Sequence, residues 1–283
     1  MKAIQLYTKL EKDFITSALS DDWARYMEPV QDFLSENFKK RSMGLVCDFT
    51  QEIRKVYTAV FPSPKVMKGI LAKNETDIML FVHHPETWDI RKAPKVFQQM
   101  DRKLLEKFKE RRISIYNLHV PLDNFGKYST GFSLAKALEI KPEKSFAPYF
   151  GSLCGILGKT RCKKVKELKK KFEQIVGHKV SLYKYGDDKI KDNIVAVVAG
   201  GGNSVEIMEE IAKDGANTFV TGVAVKNEHS RKAHNCARKH KINILGGTHY
   251  STEKFACIAM CDYFKKLRLP SEFIKDKPVL EDI

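Results

Sequence analysis

The apolar residues of this chain come in short runs, each followed by a polar segment and then by a stretch of helix length. Ile78 to Val82 (IMLFV) and Ile194 to Ala199 (IVAVVA) are continuous apolar runs of strand length, the pattern of strands buried on both faces. Neither approaches the roughly 20 apolar residues that a membrane-spanning helix needs, so no membrane partner is expected. Leu45 to Phe49, Ile53 to Phe61, Ile113 to Leu118, Val180 to Tyr185, Thr218 to Val223 and Ile242 to Leu245 read as further strands. Strands that alternate with helices predict an α/β fold, with ligands at the C-terminal ends of the strands.

Helices are expected over much of residues 1–40, where Ser20-Asp21-Asp22 is a capping signal and Pro29 a break. Others are expected from Pro64 to about Lys73, from about Lys92 to Arg112, from Cys162 to Val176, from Val205 to Asp214, from His229 to His240 and from Ser251 to Leu267. Tyr149 to Lys159 reads as an irregular hairpin, and residues beyond Leu267 as a Pro-containing tail. The chain has 283 residues, enough for two domains. With no sharp linker, two interlinked α/β lobes with mixed sheets flanked by helices are expected. One covers residues 1–125, completed by 247–283, and the other covers 126–246.

The 50 Lys and Arg outnumber the 35 Asp and Glu, a net charge of +15. Such an excess suits an anionic small-molecule substrate or a nucleic acid, and selects neither. The N-terminal residues show no secretion signal and the six cysteines form no CxxC pair. Reduced thiols and a cytoplasmic location are therefore expected.

The histidines carry the chemistry. His83 and His84 end the Ile78 to Val82 strand, with Pro85 fixing the turn. His119 and Asp123 follow the next strand, and His249 and Glu253 follow the last. Each has an ordinary reading: Asp123 as a turn residue, Glu253 as a charge complementing a helix N-terminus. Three strand ends that each offer imidazole, two of them with a carboxylate, point instead to a metal site. Nitrogen and oxygen donors without thiolate suit zinc, manganese, iron or nickel. Five or six ligands exceed what one tetrahedral ion takes, so two divalent metal ions fit better.

Five segments in order resemble the NGG-interacting-factor-3-like family, also known as GTP cyclohydrolase 1 type 2 homologues. They are IMLFVHHP (Ile78 to Pro85), HVPLD (His119 to Asp123), VVAGGGNS (Val197 to Ser204), TFVTG (Thr218 to Gly222) and GTHYSTE (Gly247 to Glu253). The resemblance runs from about Gly44 to Leu267. It implies a dinuclear metal centre in a cleft between two interlinked lobes, with His83, His84, Asp123, His249 and Glu253 as ligands. Glu253 and Asp123 are the implied bridges, and His119 lies near the metals. It also implies a homo-oligomer, expected to be a hexamer. The chain departs from the family pattern at Glu86 to Asp89, which adds two acids, at Val223, and at Thr248, which separates Gly247 from His249.

The expected activity is metal-dependent hydrolysis, cyclohydrolase-like, of a nucleotide or another phosphorylated or heterocyclic small molecule, with His119 as the proton shuttle. The alternative is a metal-binding regulatory or nucleic-acid- or protein-binding module without turnover, using the basic segments Cys162 to Val176 and His229 to His240. The Gly200 to Ser204 loop lacks the spacing of a nucleotide-binding loop and reads as a tight strand-to-helix turn.

Overall fold

The computed structural model describes residues 1–283. In chain order it contains helix α1 (Ala3–Phe14), two 3-10 segments (Trp23–Tyr26 and Glu28–Phe33), helix α2 (Glu36–Arg41), and strands β1 (Gly44–Cys47) and β2 (Lys55–Ala59). Next come helix α3 (Pro64–Leu71) and strands β3 (Ile78–Val82), β4 (Thr87–Trp88) and β5 (Phe97–Gln98). Helix α4 (Arg102–Glu110), strand β6 (Ile113–Asn117), and helices α5 (Val120–Asp123) and α6 (Thr130–Ala137) follow. The hairpin β7 (Lys141–Tyr149) and β8 (Ser152–Lys159) leads to helix α7 (Val165–Val176), strands β9 (Ser181–Tyr183) and β10 (Ile194–Gly201), and helix α8 (Val205–Lys213). The chain ends with strand β11 (Thr218–Val223), helix α9 (Arg231–Lys239), strand β12 (Asn243–Gly246), helix α10 (His249–Lys266), strand β13 (Ser271–Phe273) and a 3-10 turn, Leu280–Asp282.

The chain forms two compact units. One comprises residues 1–122, 150–152 and 257–277; the other comprises 123–149, 153–256 and 278–283. The segments alternate along the sequence, so the two units are interlinked by the chain itself.

The first unit is built on a mixed sheet of order β1-β6-β3-β2-β13. β3 runs parallel to β2 and β6, with Val82 opposite Ala59 and Asn117. One face packs Tyr57, Ala59, Leu80, Val82 and Ile115 against Met67 and Ile70 of α3 and Leu105 and Phe108 of α4. The other face meets the second half of α10, where Phe81 lies edge-on to Phe264 and the Thr58 hydroxyl donates to the Cys257 carbonyl at 2.8 Å. Both faces of β3 are covered, which is why it is apolar at every position and shows no alternation. Side-chain caps place the helices. Ser63 accepts from the Val66 amide ahead of α3, whose Pro64 sits where its missing N–H costs nothing, and Asp101 accepts from the Leu104 amide ahead of α4.

The second unit is built on a mixed sheet of order β7-β8-β10-β11-β12-β9, parallel through β10, β11 and β12 and antiparallel at its margins. Alternate residues of its strands enter different cores. Val195, Val197, Val220 and Leu245 join Leu168 and Phe172 of α7, while Ala196, Val198, Phe219 and Ile244 join Met208 of α8 and Ala237 of α9. The basic α7 therefore buries a stripe of Val165, Leu168, Phe172 and Val176 and turns its lysines outward.

Three expectations need correction. The helix expected from Lys92 starts only at Arg102. Pro94, which lacks an N–H, leaves residues 90–98 as a 3-10 turn and the strand β5 paired with β4. The helix expected around Trp23 and Met27 is two 3-10 segments meeting at Met27 and Glu28, with Pro29 in the first turn of the second. The tail adds a strand, because Ser271–Phe273 pairs in parallel with Val56–Thr58 and satisfies the open edge of β2. No helix is long and apolar enough to cross a membrane.

Candidate metal centre

In the first unit the ends of β3 and β6 place three imidazoles together. Beyond the last paired residues, the His83 and His84 amides still bond the Ala59 and Val60 carbonyls, at 3.3 and 2.9 Å, so the backbone carrying both rings is held by β2. Asn117 at the end of β6 donates its side-chain amide to the His83 carbonyl. The ring centroids of His83 and His84 are 4.4 Å apart, and His119 lies 5.3 Å from the first and 4.7 Å from the second. One ring nitrogen of each falls within 4.8 Å of the others.

The rings are oriented by their surroundings. His83 Nδ1 lies 3.0 Å from the Leu118 carbonyl, which accepts the Nδ1 hydrogen and puts the lone pair on Nε2. His84 stacks on Phe61, and Trp23 meets it edge-on. His119 Nδ1 lies 2.9 Å from both the Trp23 indole nitrogen and Asp21 Oδ2. An indole N–H only donates and a carboxylate only accepts, so the two contacts call for opposite tautomers of His119. A neutral ring satisfies one of the two contacts at a time.

In the second unit the site begins with the helix end at Thr248. The Thr248 amide donates to the Ser251 hydroxyl at 3.0 Å, and the Ser251 amide donates to the Thr248 hydroxyl at 3.1 Å. This reciprocal cap starts α10 at His249, two residues earlier than expected. His249 and Glu253 then stand one turn apart on one helix face, with Nε2 and Oε1 3.1 Å apart. Thr248, between Gly247 and His249, is therefore the residue that caps this helix.

Gly200, near the end of β10, lies against this pair. A Cβ there would overlap Glu253 Oε1 and lie 3.1 Å from His249 Nε2, and the backbone has φ +67°, which L side chains rarely adopt. The Gly200 amide donates to the Thr252 hydroxyl at 3.0 Å. The Gly-rich loop is thus a close approach of backbone to the carboxylate, and Ser204 caps α8 by accepting from the Ile207 amide. Asp123, at the end of α5, accepts from the Thr130 hydroxyl at 2.6 Å.

His83, His84, His119, Asp123, His249 and Glu253 are all buried, none more than 8% exposed. Within the first unit the structure gathers His83, His84 and His119; within the second it pairs His249 with Glu253. The two acids that follow His84 each have a partner of their own. Asp89 caps a 3-10 turn and is paired with Arg91. Glu86 is buried and bonded to the Gln99 amide, and burial pushes its carboxyl up to about 7.

Four contributors had no signal in the sequence or were read otherwise. Asp21 was read as a cap and instead faces His119; Trp23 and Phe61 frame the imidazoles. Asp282, from the last turn of the chain, is fully buried and accepts the His249 amide at 2.9 Å, answering an unmet N–H at the start of α10. Its backbone carbonyl also receives the Ala224 and Val225 amides, each at 2.8 Å. An Asp282→Ala variant leaves a buried helix N–H unmet and is expected to lose about 1–3 kcal/mol of stability in denaturant unfolding. Asp282→Asn, which keeps an acceptor oxygen, should recover most of that loss; equal losses in the two would count against the role given to this bond.

The model of the Duf34/NIF3 (NGG1p interacting factor 3) family matches residues 24–278. Among curated relatives, a GTP cyclohydrolase 1 type 2 homolog of Yersinia pestis is 27% identical over 225 residues, covering 78% of this chain and 83% of its own. Another from Archaeoglobus fulgidus is 24% identical over 249 residues, covering 87% of this chain and 94% of its own. Among solved structures, protein ybgI superposes with a TM-score of 0.76 at 21% identity, over 98% of this chain and 100% of that one, a likeness of fold.

Proposed function

Because the chain belongs to the Duf34/NIF3 family, we propose that His83, His84, Asp123, His249 and Glu253 hold two divalent metal ions and that the protein is a metal-dependent hydrolase. The observation that carries this reading is the burial of donor atoms in preformed groups: three imidazoles within ligand spacing in one unit, and a His and Glu pair in the other. The donors fit the group. They are nitrogen and oxygen atoms without thiolate, suited to zinc, iron, manganese or nickel, and Gly200 leaves room beside Glu253 that any side chain would fill. Glu253 and Asp123 are the carboxylates able to bridge.

Bound metals supply Lewis acidity and a lowered pKa for coordinated water. The chain's own residues do the rest. Leu118 and Asn117 hold His83, Phe61 and Trp23 hold His84, and Asp282 fixes the first residue of α10. Asp21 and Trp23 both meet His119 at Nδ1 and hold its ring beside His83 and His84, and His119 is the residue assigned to proton transfer in this reading. The substrate class is an anionic nucleotide or another phosphorylated or heterocyclic small molecule, which the net charge of +15 attracts. Its setting in this reading is a cytoplasmic homohexamer.

The test is metal analysis followed by assay of nucleotides and phosphoesters with and without chelator. Turnover that chelator abolishes and metal restores supports the reading, and His119→Ala should lower it with metal content kept. Full metal occupancy without turnover on any substrate would favour a binding or regulatory module. That second reading draws on the outward residues Arg161, Lys163, Lys164, Lys166 and Lys170. A nucleic-acid complex on them would weaken steeply with salt, by a log–log slope near −0.9 per duplex phosphate contacted.

A further inference from the structure

A second group of metal-ligating side chains lies in the second unit, on helices α8 and α9. Cys236 and His240 are four residues apart at the end of α9, and Glu209 of α8 faces both. Glu209 Oε1 is 3.3 Å from Cys236 Sγ, and Oε2 is 3.1 Å from His240 Nε2. All three donor atoms lie within 4.8 Å of one another. We propose that Glu209, Cys236 and His240 form a separate, single-ion site for a thiophilic divalent metal of the zinc type, its fourth position open to solvent.

Three features support it. Cys236 Sγ and His240 Nε2 each lie near a Glu209 oxygen, at 3.3 and 3.1 Å, close to the roughly 3.3–3.5 Å between donors of a tetrahedral ion, and all three residues offer donors within 4.8 Å of one another. His240 Nε2 is buried and its nearest carboxylate oxygen is Glu209 Oε2, at 3.1 Å. The other histidine of α9, His234, differs: it spends both nitrogens on structural bonds, to the Tyr185 hydroxyl and the Ala224 carbonyl. The third feature is access. The Cys236 thiol is buried, but the Glu209 side chain is about half exposed, so an ion reaches the group without the fold opening. Lys239 also approaches Glu209 Oε1, at 3.7 Å, on an exposed side chain able to swing away.

Without metal the thiol keeps its proton, because burial and the neighbouring Glu209 carboxylate push it up to about 11. Binding forms an S–metal bond and releases that one proton to solvent, so the proposed affinity falls as pH falls. The site differs from the His and carboxylate centre in having thiolate, and this separates the two experimentally.

The experiment titrates Co2+ into the full-length protein, kept reduced by a phosphine, and follows the near-ultraviolet thiolate-to-cobalt absorption. The wild type should gain this band, saturating with one thiolate site per chain. Cys236→Ser should abolish it, and His240→Gln or Glu209→Gln should weaken the cobalt affinity behind it. His84→Ala should leave it intact, so failure of the other centre does not masquerade as failure here. No band in the wild type, or a band that survives Cys236→Ser, overturns the proposal.

Discussion

Glu253→Gln is expected to strip metal from the His and carboxylate centre. The substitution keeps the size of the side chain and one acceptor oxygen, but removes the negative charge that faces His249 Nε2 at 3.1 Å. Outer partners of metal ligands already cost about 10–100-fold in affinity when removed, so a buried carboxylate ligand should cost at least that. Metal analysis after dialysis should show the wild type retaining its ions and the variant losing them, with folding preserved by circular dichroism. Retention at the wild-type level would remove Glu253 from the ligand set.

Gly200→Ala should be as damaging by a different route. The new methyl overlaps Glu253 Oε1, and the residue keeps a φ of +67°. Overpacking and the left-handed backbone together cost roughly 2–4 kcal/mol. For a chain of this size the melting temperature should fall by about 5–15 °C. Because the displaced group is the Glu253 carboxylate, metal affinity should fall too. The neighbouring residue is the control: a Cβ on Gly201 meets nothing within 4 Å, so Gly201→Ala should change stability by no more than about 0.5 kcal/mol. Equal behaviour of the two variants would show that the contact at Gly200 is not what the site needs.

The parts of this site that were legible in the sequence share one physical cause. β3 is buried on both faces and apolar throughout, so the point where it stops being apolar is visible, and His83 and His84 stand there; His119 follows the end of β6 in the same way. His249 and Glu253 were visible because they follow the last strand, and the structure sets them one turn apart on α10. The helix start was misplaced because the Thr248–Ser251 cap is a reciprocal side-chain arrangement, and serines and threonines are too common nearby to mark it. The residues that orient the site were not legible at all. Asp21 and Trp23 reach His119 across about a hundred residues of sequence, and Asp282 reaches His249 from a tail with no periodicity. Such partners are set by tertiary packing, and local pattern carries no trace of them. Residues 92–100 failed differently: lysines and apolar residues fitted a helix, and one proline outweighed them.

The site at Glu209, Cys236 and His240 shows the same limit from the other side. Cys236 and His240 share a helix face that spacing makes visible, but the carboxylate between them comes from a different helix.

Anomalous scattering from crystals grown with manganese or zinc, recorded above and below the metal edge, tests the central claim most directly. The account predicts two peaks per chain contacted by His83, His84, Asp123, His249 and Glu253, with Glu253 or Asp123 touching both. Peaks elsewhere with none at these residues, or a single ion held by the histidines alone, would contradict it.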